Sequence, residues 1–212
     1  MGGGAFFRFG QSQAKLSDLS MVAITHLHPD HVSDLPALLW LSNRDRQKPL
    51  PIVGPSGNNA APSFSTFLNR LFEEKTGAFQ VLGSTLGGTQ AFAGTGVRLE
   101  VEVVDAMKAE PSMVFDRDGV TVTALGIPHG NIPSLAYRVQ TRDTSIVFSS
   151  DQTGTNPNFI EFAKGANVLI MHVAIPVADN RGVVGHIAQE AGVGRLIVSH
   201  FGRFPLIRPL LN

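Results

Sequence analysis

The stretch Thr25-His26-Leu27-His28-Pro29-Asp30-His31 constrains this chain more than any other, because it sets three histidines and one aspartate within seven positions. In extended backbone, residues two apart point the same way. His26 and His28 are therefore placed to grip one metal ion together. Pro29 disfavours helical geometry at His28, which puts the cluster on a loop. The apolar run 21–25 before it reads as a strand. Ser33 reads as the N-cap of a helix over 34–44, with Pro36 in its tolerated first turn. Asp30 and His31, at the turn into that helix, point elsewhere and suit a second ion. Imidazole and carboxylate together suit zinc, with manganese or iron also accepted. A loop between strand and helix is the usual seat of chemistry in α/β proteins.

Further ligands must come from elsewhere in the chain. There is no cysteine, which removes disulfides, thiolate metal sites and a cysteine nucleophile. Of seven histidines, four lie outside the cluster: His129, His172, His186 and His200. His129 and His200 each follow an apolar strand-like run, and Asp151 in Ser149-Ser150-Asp151 stands in the same kind of position. Three strand-end residues of ligand type are what a metal cleft along a sheet edge would use.

Beyond the cluster, 51–54 reads as a strand, 64–75 as an amphipathic helix and 83–96, rich in Gly and Thr, as loop. Strands are expected over 97–104, 113–116, 120–126, 135–140 and 145–149, the last two joined by a hairpin turn at 141–144. The tail alternates: helix 158–164, strand 167–173, helix 183–191, strand 195–199. No internal repeat or domain linker interrupts this order, so one domain over 1–212 is expected. The mixed order suits an α/β (α+β) architecture of sheets with helices packed outside.

Composition narrows the function classes. Lys+Arg and Asp+Glu are both 17, so there is no basic excess of the kind phosphate binding favours, and no strong nucleic-acid signal. No apolar stretch approaches the roughly 20 residues of a membrane span. The N-terminus lacks the charged start and apolar core of a signal peptide. The cytoplasm is the default compartment.

The motif His26-x-His28-x-Asp30-His31 resembles the signature of the metallo-β-lactamase superfamily. The segments 129–138, 149–154 and 199–201 follow in the order and rough spacing of that family's later motifs. They are most similar to the branch that includes ribonuclease Z, arylsulfatases and cyclic-nucleotide phosphodiesterases, and the likeness covers roughly 5–203. It implies a four-layer αβ/βα sandwich holding two divalent ions. By that resemblance His26, His28 and His129 bind the first ion, and Asp30, His31 and His200 the second. Asp151 bridges both, and Asp30 also orients an attacking hydroxide. The implied activity is hydrolysis of a phosphodiester, sulfate ester or similar small-molecule ester. A lactonase, carboxylesterase or β-lactamase remains an alternative, because the same nucleophile attacks acyl carbon. A metal-binding but catalytically impaired chain is the further alternative.

Two departures from the family pattern bear on that reading. Related proteins carry strands and an Asp-x-Gly-Gly-Gly segment where this chain opens on Met1-Gly2-Gly3-Gly4. The first sheet is therefore expected to lack N-terminal strands, its open edge covered by a rearrangement or by a homodimer, and an export signal would have been lost with them. Read on its own, the opening is equally a flexible leader. Secondly, the general-acid histidine of ribonuclease Z-like enzymes falls at Ala178 in register. His186, 14 residues before His200, either substitutes for it or is an exposed helix residue. His172, at the end of an apolar run, is expected to support the ligands or pack in the core rather than bind metal. Tyr137 and Arg138 are expected to pack and pair.

Overall fold

In the computed structural model, residues 1–41, 46, 48–88, 97–173 and 177–201 are described, forming two compact units. The first comprises Met1–Lys108 with Asn131–Leu135, the second Ala109–Gly130 with Ala136–Asn212.

The first unit holds a parallel sheet of three strands, β1 (Val22–Ala23), β2 (Leu50–Pro55) and β3 (Leu99–Val104), in that spatial order. β2 is buried along its whole length, as a central parallel strand must be. Around it run α1 (Ala5–Gln11), α2 (Pro29–Val32), α3 (Leu35–Leu41) and α4 (Phe64–Phe72). α4 shows why these residues form a helix here. The Ser63 side chain accepts the Thr66 N–H as an N-cap, and Phe64, Leu68 and Phe72 turn one face to the core. The Phe64 ring lies so close on Gly54 of β2 that a Cβ there would collide with it. Leu35, Leu38, Leu39 and Ile52 complete a core of residues with no exposed surface.

Four local expectations need correction. The N-terminal segment is no flexible leader. Residues 5–11 form α1, with Phe6 and Phe9 packed on the core, and the Asp34 carboxylate accepts the Phe6 N–H at 2.9 Å. The second half of the metal motif is helix rather than loop, because Pro29 pre-sets the first helical position and α2 begins there. Ser33 in consequence is not an N-cap: it has helical dihedrals (φ −58°, ψ −30°), and its N–H closes α2 on the Pro29 carbonyl. Within the expected loop 83–96, residues to Leu86 belong to a 3₁₀ segment, Gln80–Leu86, that buries Leu82 through Thr85. The rest of that loop from 89, and the end of the expected helix at 42–44, lie outside the described residues.

The second unit is built on a six-stranded sheet with strand order following the chain: β4 (Ser112–Arg117), β5 (Val120–Ile127), β6 (Ser134–Gln140), β7 (Ser145–Phe148), β8 (Val168–Val173) and β9 (Arg195–Phe201). β4–β5 and β6–β7 are antiparallel hairpins. The first turns on Asp118 and Gly119, both at positive φ (54° and 76°), as a two-residue hairpin loop matched to strand twist requires. β7, β8 and β9 are parallel and so need crossovers, which α5 (Pro157–Ala163) and α6 (Val177–Glu190) supply. Phe159, Phe162, Leu169, Val147 and Ile187 pack between sheet and helices. Arg138 donates to the Phe162 and Lys164 carbonyls, satisfying the C-terminal end of α5, and Tyr137 is buried. No helix among the described residues is long and apolar enough to cross a membrane.

Candidate metal centre

The expected ligands fall into two clusters, one in each unit. In the first, His26 lies three residues after β1 and is completely buried. Its Nε2 faces His28 Nδ1 at 3.1 Å. Two nitrogens bound to one zinc at about 2.0–2.1 Å in tetrahedral geometry sit roughly 3.3 Å apart, so this pair is spaced for a shared ion. The other nitrogen of His26, Nδ1, meets the Thr25 hydroxyl at 3.3 Å, and the same hydroxyl lies 3.5 Å from His31 Nδ1. Thr25 thus touches the outer nitrogens of two histidines and leaves Nε2 of each for a ligand, the supporting role that orients metal-binding imidazoles. On α2, Asp30 Oδ2 lies 3.5 Å from His31 Nε2, with the Asp30 side chain 61% exposed. The rings of His26 and His31 are 4.0 Å apart between centroids. Gly2 packs directly against the Asp30 carbonyl, leaving no room for a Cβ.

In the second cluster, Asp151 is the hub. Its Oδ2 lies 3.9 Å from His129 Nε2 and 3.7 Å from His200 Nε2, while Oδ1 lies 3.3 Å from His172 Nδ1. The two Oδ2 separations are too long for hydrogen bonds. They fall within the about 4.2 Å that two metal bonds of about 2.1 Å can span. Local backbone geometry aims these side chains. Ser150, just before Asp151, has φ 56°. His200 has φ 52° and is the extra residue of a bulge, since His172 pairs with Ser199 while Val173 pairs with Phe201. Bulges and left-handed non-glycine residues recur where a strand re-aims a functional side chain.

The segment carrying Asp151 is held in place by buried polar groups. Ser149 Oγ donates to the Ser150 carbonyl at 2.8 Å and accepts the His172 N–H at 2.8 Å, and Gln152 Nε2 donates to the Ser149 carbonyl. Gln152 Oε1 is buried with no hydrogen-bond partner among the described residues.

His186 is not brought to either cluster by any contact among the described residues. It is exposed on α6, while its neighbours Val184 and Ile187 turn to the core. Sequence reasoning missed Thr25 and Ser149. Thr25 adjoins His26, and Ser149 lies two residues before Asp151; both carry a hydroxyl, but the strand pattern gives no sign of which hydroxyls turn toward a histidine.

Residues 4–197 match the model of the β-lactamase superfamily domain. The chain belongs to this superfamily. Among its curated relatives, ribonuclease Z of Mycobacterium sp. (strain KMS) is 28% identical over 229 residues, covering 98% of this chain and 74% of the relative. Ribonuclease Z of Mycobacterium bovis (strain BCG / Pasteur 1173P2) is also 28% identical, over 90% of this chain and 69% of its own length. Among solved structures, the short form of human tRNase Z superposes with a TM-score of 0.71 at 21% identity, covering 95% of this chain and 80% of that one. The metallo-β-lactamase fold protein YhfI from Bacillus subtilis gives a TM-score of 0.67 at 19% identity, over 97% and 73% of the two chains. The fold is therefore the metallo-β-lactamase fold, and the chain is a metal-dependent hydrolase on the ribonuclease Z-like branch. The superfamily characteristically uses divalent ions, often zinc. The donor set fits such ions, being imidazole nitrogen and carboxylate oxygen with no thiolate.

Proposed function

We propose that the two clusters are halves of one dinuclear centre, acting as a single catalytic domain over 1–212, and that the chain hydrolyses phosphodiesters. The observation carrying this reading is Asp151, whose one carboxylate oxygen faces both His129 and His200. His26, His28 and His129 would hold the first ion, Asp30, His31 and His200 the second, with Asp151 shared. Zinc suits this set, with manganese or iron as substitutes.

When bound, two divalent ions acidify water and neutralise charge on the phosphoryl oxygens and the leaving group. The chain's own residues do the rest. Asp30, on an exposed helical turn, accepts a hydrogen bond from the attacking water and fixes its direction. Thr25 holds His26 and His31 in orientation. No histidine is placed to protonate the leaving oxygen among the residues gathered in the two clusters other than the ligands and His172, which favours substrates with acidic leaving groups.

Phosphodiesters are preferred to sulfate esters or carboxylic esters because the relatives are named ribonuclease Z and tRNase Z. Those names also favour a second reading, an RNA phosphodiester, against which stands the absence of any basic excess. The test is metal-reconstituted protein against bis(p-nitrophenyl) phosphate, p-nitrophenyl sulfate, p-nitrophenyl butyrate and a transfer-RNA precursor, with His28→Ala alongside. Metal-dependent turnover of the phosphate, lost in His28→Ala, is expected. Cleavage of the RNA alone supports the second reading. Turnover of the butyrate alone would move the assignment to an esterase or lactonase, and silence with metal bound would mean an impaired site.

A further inference from the structure

His172 has no role in the ligand set above, yet it lies closer to the Asp151 carboxylate than His129 or His200 does. Its Nδ1 lies 3.3 Å from Asp151 Oδ1, against 3.9 Å and 3.7 Å for His129 and His200 at Oδ2. The carboxylate is therefore divided: one oxygen is met by His172, the other faces the two ligand histidines. Asp151 is buried (4% exposed) and free rotation would exchange the two oxygens, so something must fix its plane.

His172 is itself anchored for that task. It is near the end of β8, and its N–H is bound by Ser149 Oγ at 2.8 Å, two residues before Asp151. The same hydroxyl donates to the Ser150 carbonyl, so the backbone that carries Asp151 and the backbone that carries His172 are tied through one atom. The His172 ring also lies alongside His200, 5.8 Å between centroids and 25° from parallel. The ring is thus pinned at its backbone, at its Nδ1 edge and against its neighbour's face.

We infer that His172 is a positioning residue: its Nδ1–H donates to Asp151 Oδ1, reserving Oδ2 as the single oxygen through which Asp151 serves the metal centre. This rests on Asp151 being a ligand. Outer groups that orient metal ligands change metal affinity about 10–100-fold when removed, which sets the effect to look for. Asparagine places its side-chain amide nitrogen close to where histidine places Nδ1, so it keeps the donor while removing the rest of the ring.

The experiment is zinc titration of the metal-free protein against a chromophoric chelator, for the parent, His172→Ala, His172→Asn and Asp151→Asn. Melting of each metal-free and metal-loaded form runs in parallel. The expected result is two ions bound by the parent and by both His172 variants. Affinity falls about 10–100-fold in His172→Ala and returns to within about threefold of the parent in His172→Asn. The metal-free melts should stay close while the metal-induced rise in Tm shrinks only in His172→Ala and Asp151→Asn. If His172→Asn loses an ion as fully as His172→Ala, His172 is a ligand and the inference is overturned. If His172→Ala binds like the parent, Oδ1 needs no holder and it is likewise overturned. Should Asp151→Asn bind zinc like the parent, it is the ligand assignment beneath the inference that fails.

Discussion

Replacing Thr25 with valine removes one hydroxyl while keeping the β-branched shape, and its cost can be worked from the structure. The hydroxyl lies 3.3 Å from His26 Nδ1 and 3.5 Å from His31 Nδ1. The first contact matters more, because it is shorter and the His26 ring has no exposed surface. Taking the partner from a buried polar group costs about 1–3 kcal/mol. An outer-group effect of about 10–100-fold on metal affinity corresponds to about 1.4–2.8 kcal/mol. The two estimates overlap, so Thr25→Val should weaken zinc binding by at least about tenfold. The Leu135 N–H to Thr25 carbonyl bond at 2.9 Å is untouched, which keeps the backbone in place. Chelator competition reads the affinity, and a melt of the metal-free protein checks the fold. Zinc affinity within twofold of the parent would refute the reasoning that Thr25 orients these rings.

Three further outcomes follow from other parts of the fold. Gly54→Ala drives a methyl into the Phe64 ring; overpacking costs about 1–3 kcal/mol, and at about 2–4 °C per kcal/mol for a chain of this size the Tm should drop by several degrees in calorimetry, an unchanged melt refuting the close packing. Hydrogen bonds from the Thr76 hydroxyl and then the Lys75 and Thr76 N–H groups hold the Glu73 carboxyl below its ordinary value of 4.5. Its stabilisation is therefore fully present above that value and is lost as pH falls through the lower folded one. The parent should melt above Glu73→Gln at pH 7, and the two should converge in acid; a gap that widens in acid would contradict this. Chelation with EDTA should abolish phosphodiester turnover and zinc should restore it, activity that survives exhaustive chelation being the contrary result.

The sequence made the second unit almost fully legible, because its signals are local. The strand pattern over 120–126 and the turn at 141–144 each act over a few residues, and the strands formed where those patterns lie. α6 runs from Val177, six residues before the expected start at 183, since the polar sequence Asp179-Asn180-Arg181-Gly182 shows no apolar period before the core face at Val184 and Ile187. Around the metal motif the reading erred by one helical turn, Pro29 starting α2 where Ser33 was expected to start a longer helix. α1 was invisible for a different reason: its phenylalanines are held by α3 and the Asp34 carboxylate, partners 28 residues away. The side chains of ligand type and their order along the chain were readable, because in a chain without cysteine imidazole and carboxylate are the donors that remain. Their orientation was not. The positive φ of Ser150 and His200 and the bulge in β9 depend on strand pairing, which no local pattern encodes.

The proposed activity requires that the two histidine–aspartate clusters share one pair of ions. Crystals of the zinc-reconstituted protein, measured at the zinc absorption edge, test it in a single anomalous map. The prediction is two peaks roughly 3.5–4 Å apart, one within bonding distance of His26, His28 and His129, the other of Asp30, His31 and His200, with Asp151 touching both. A single peak, or two peaks each ligated by one cluster alone, would contradict it.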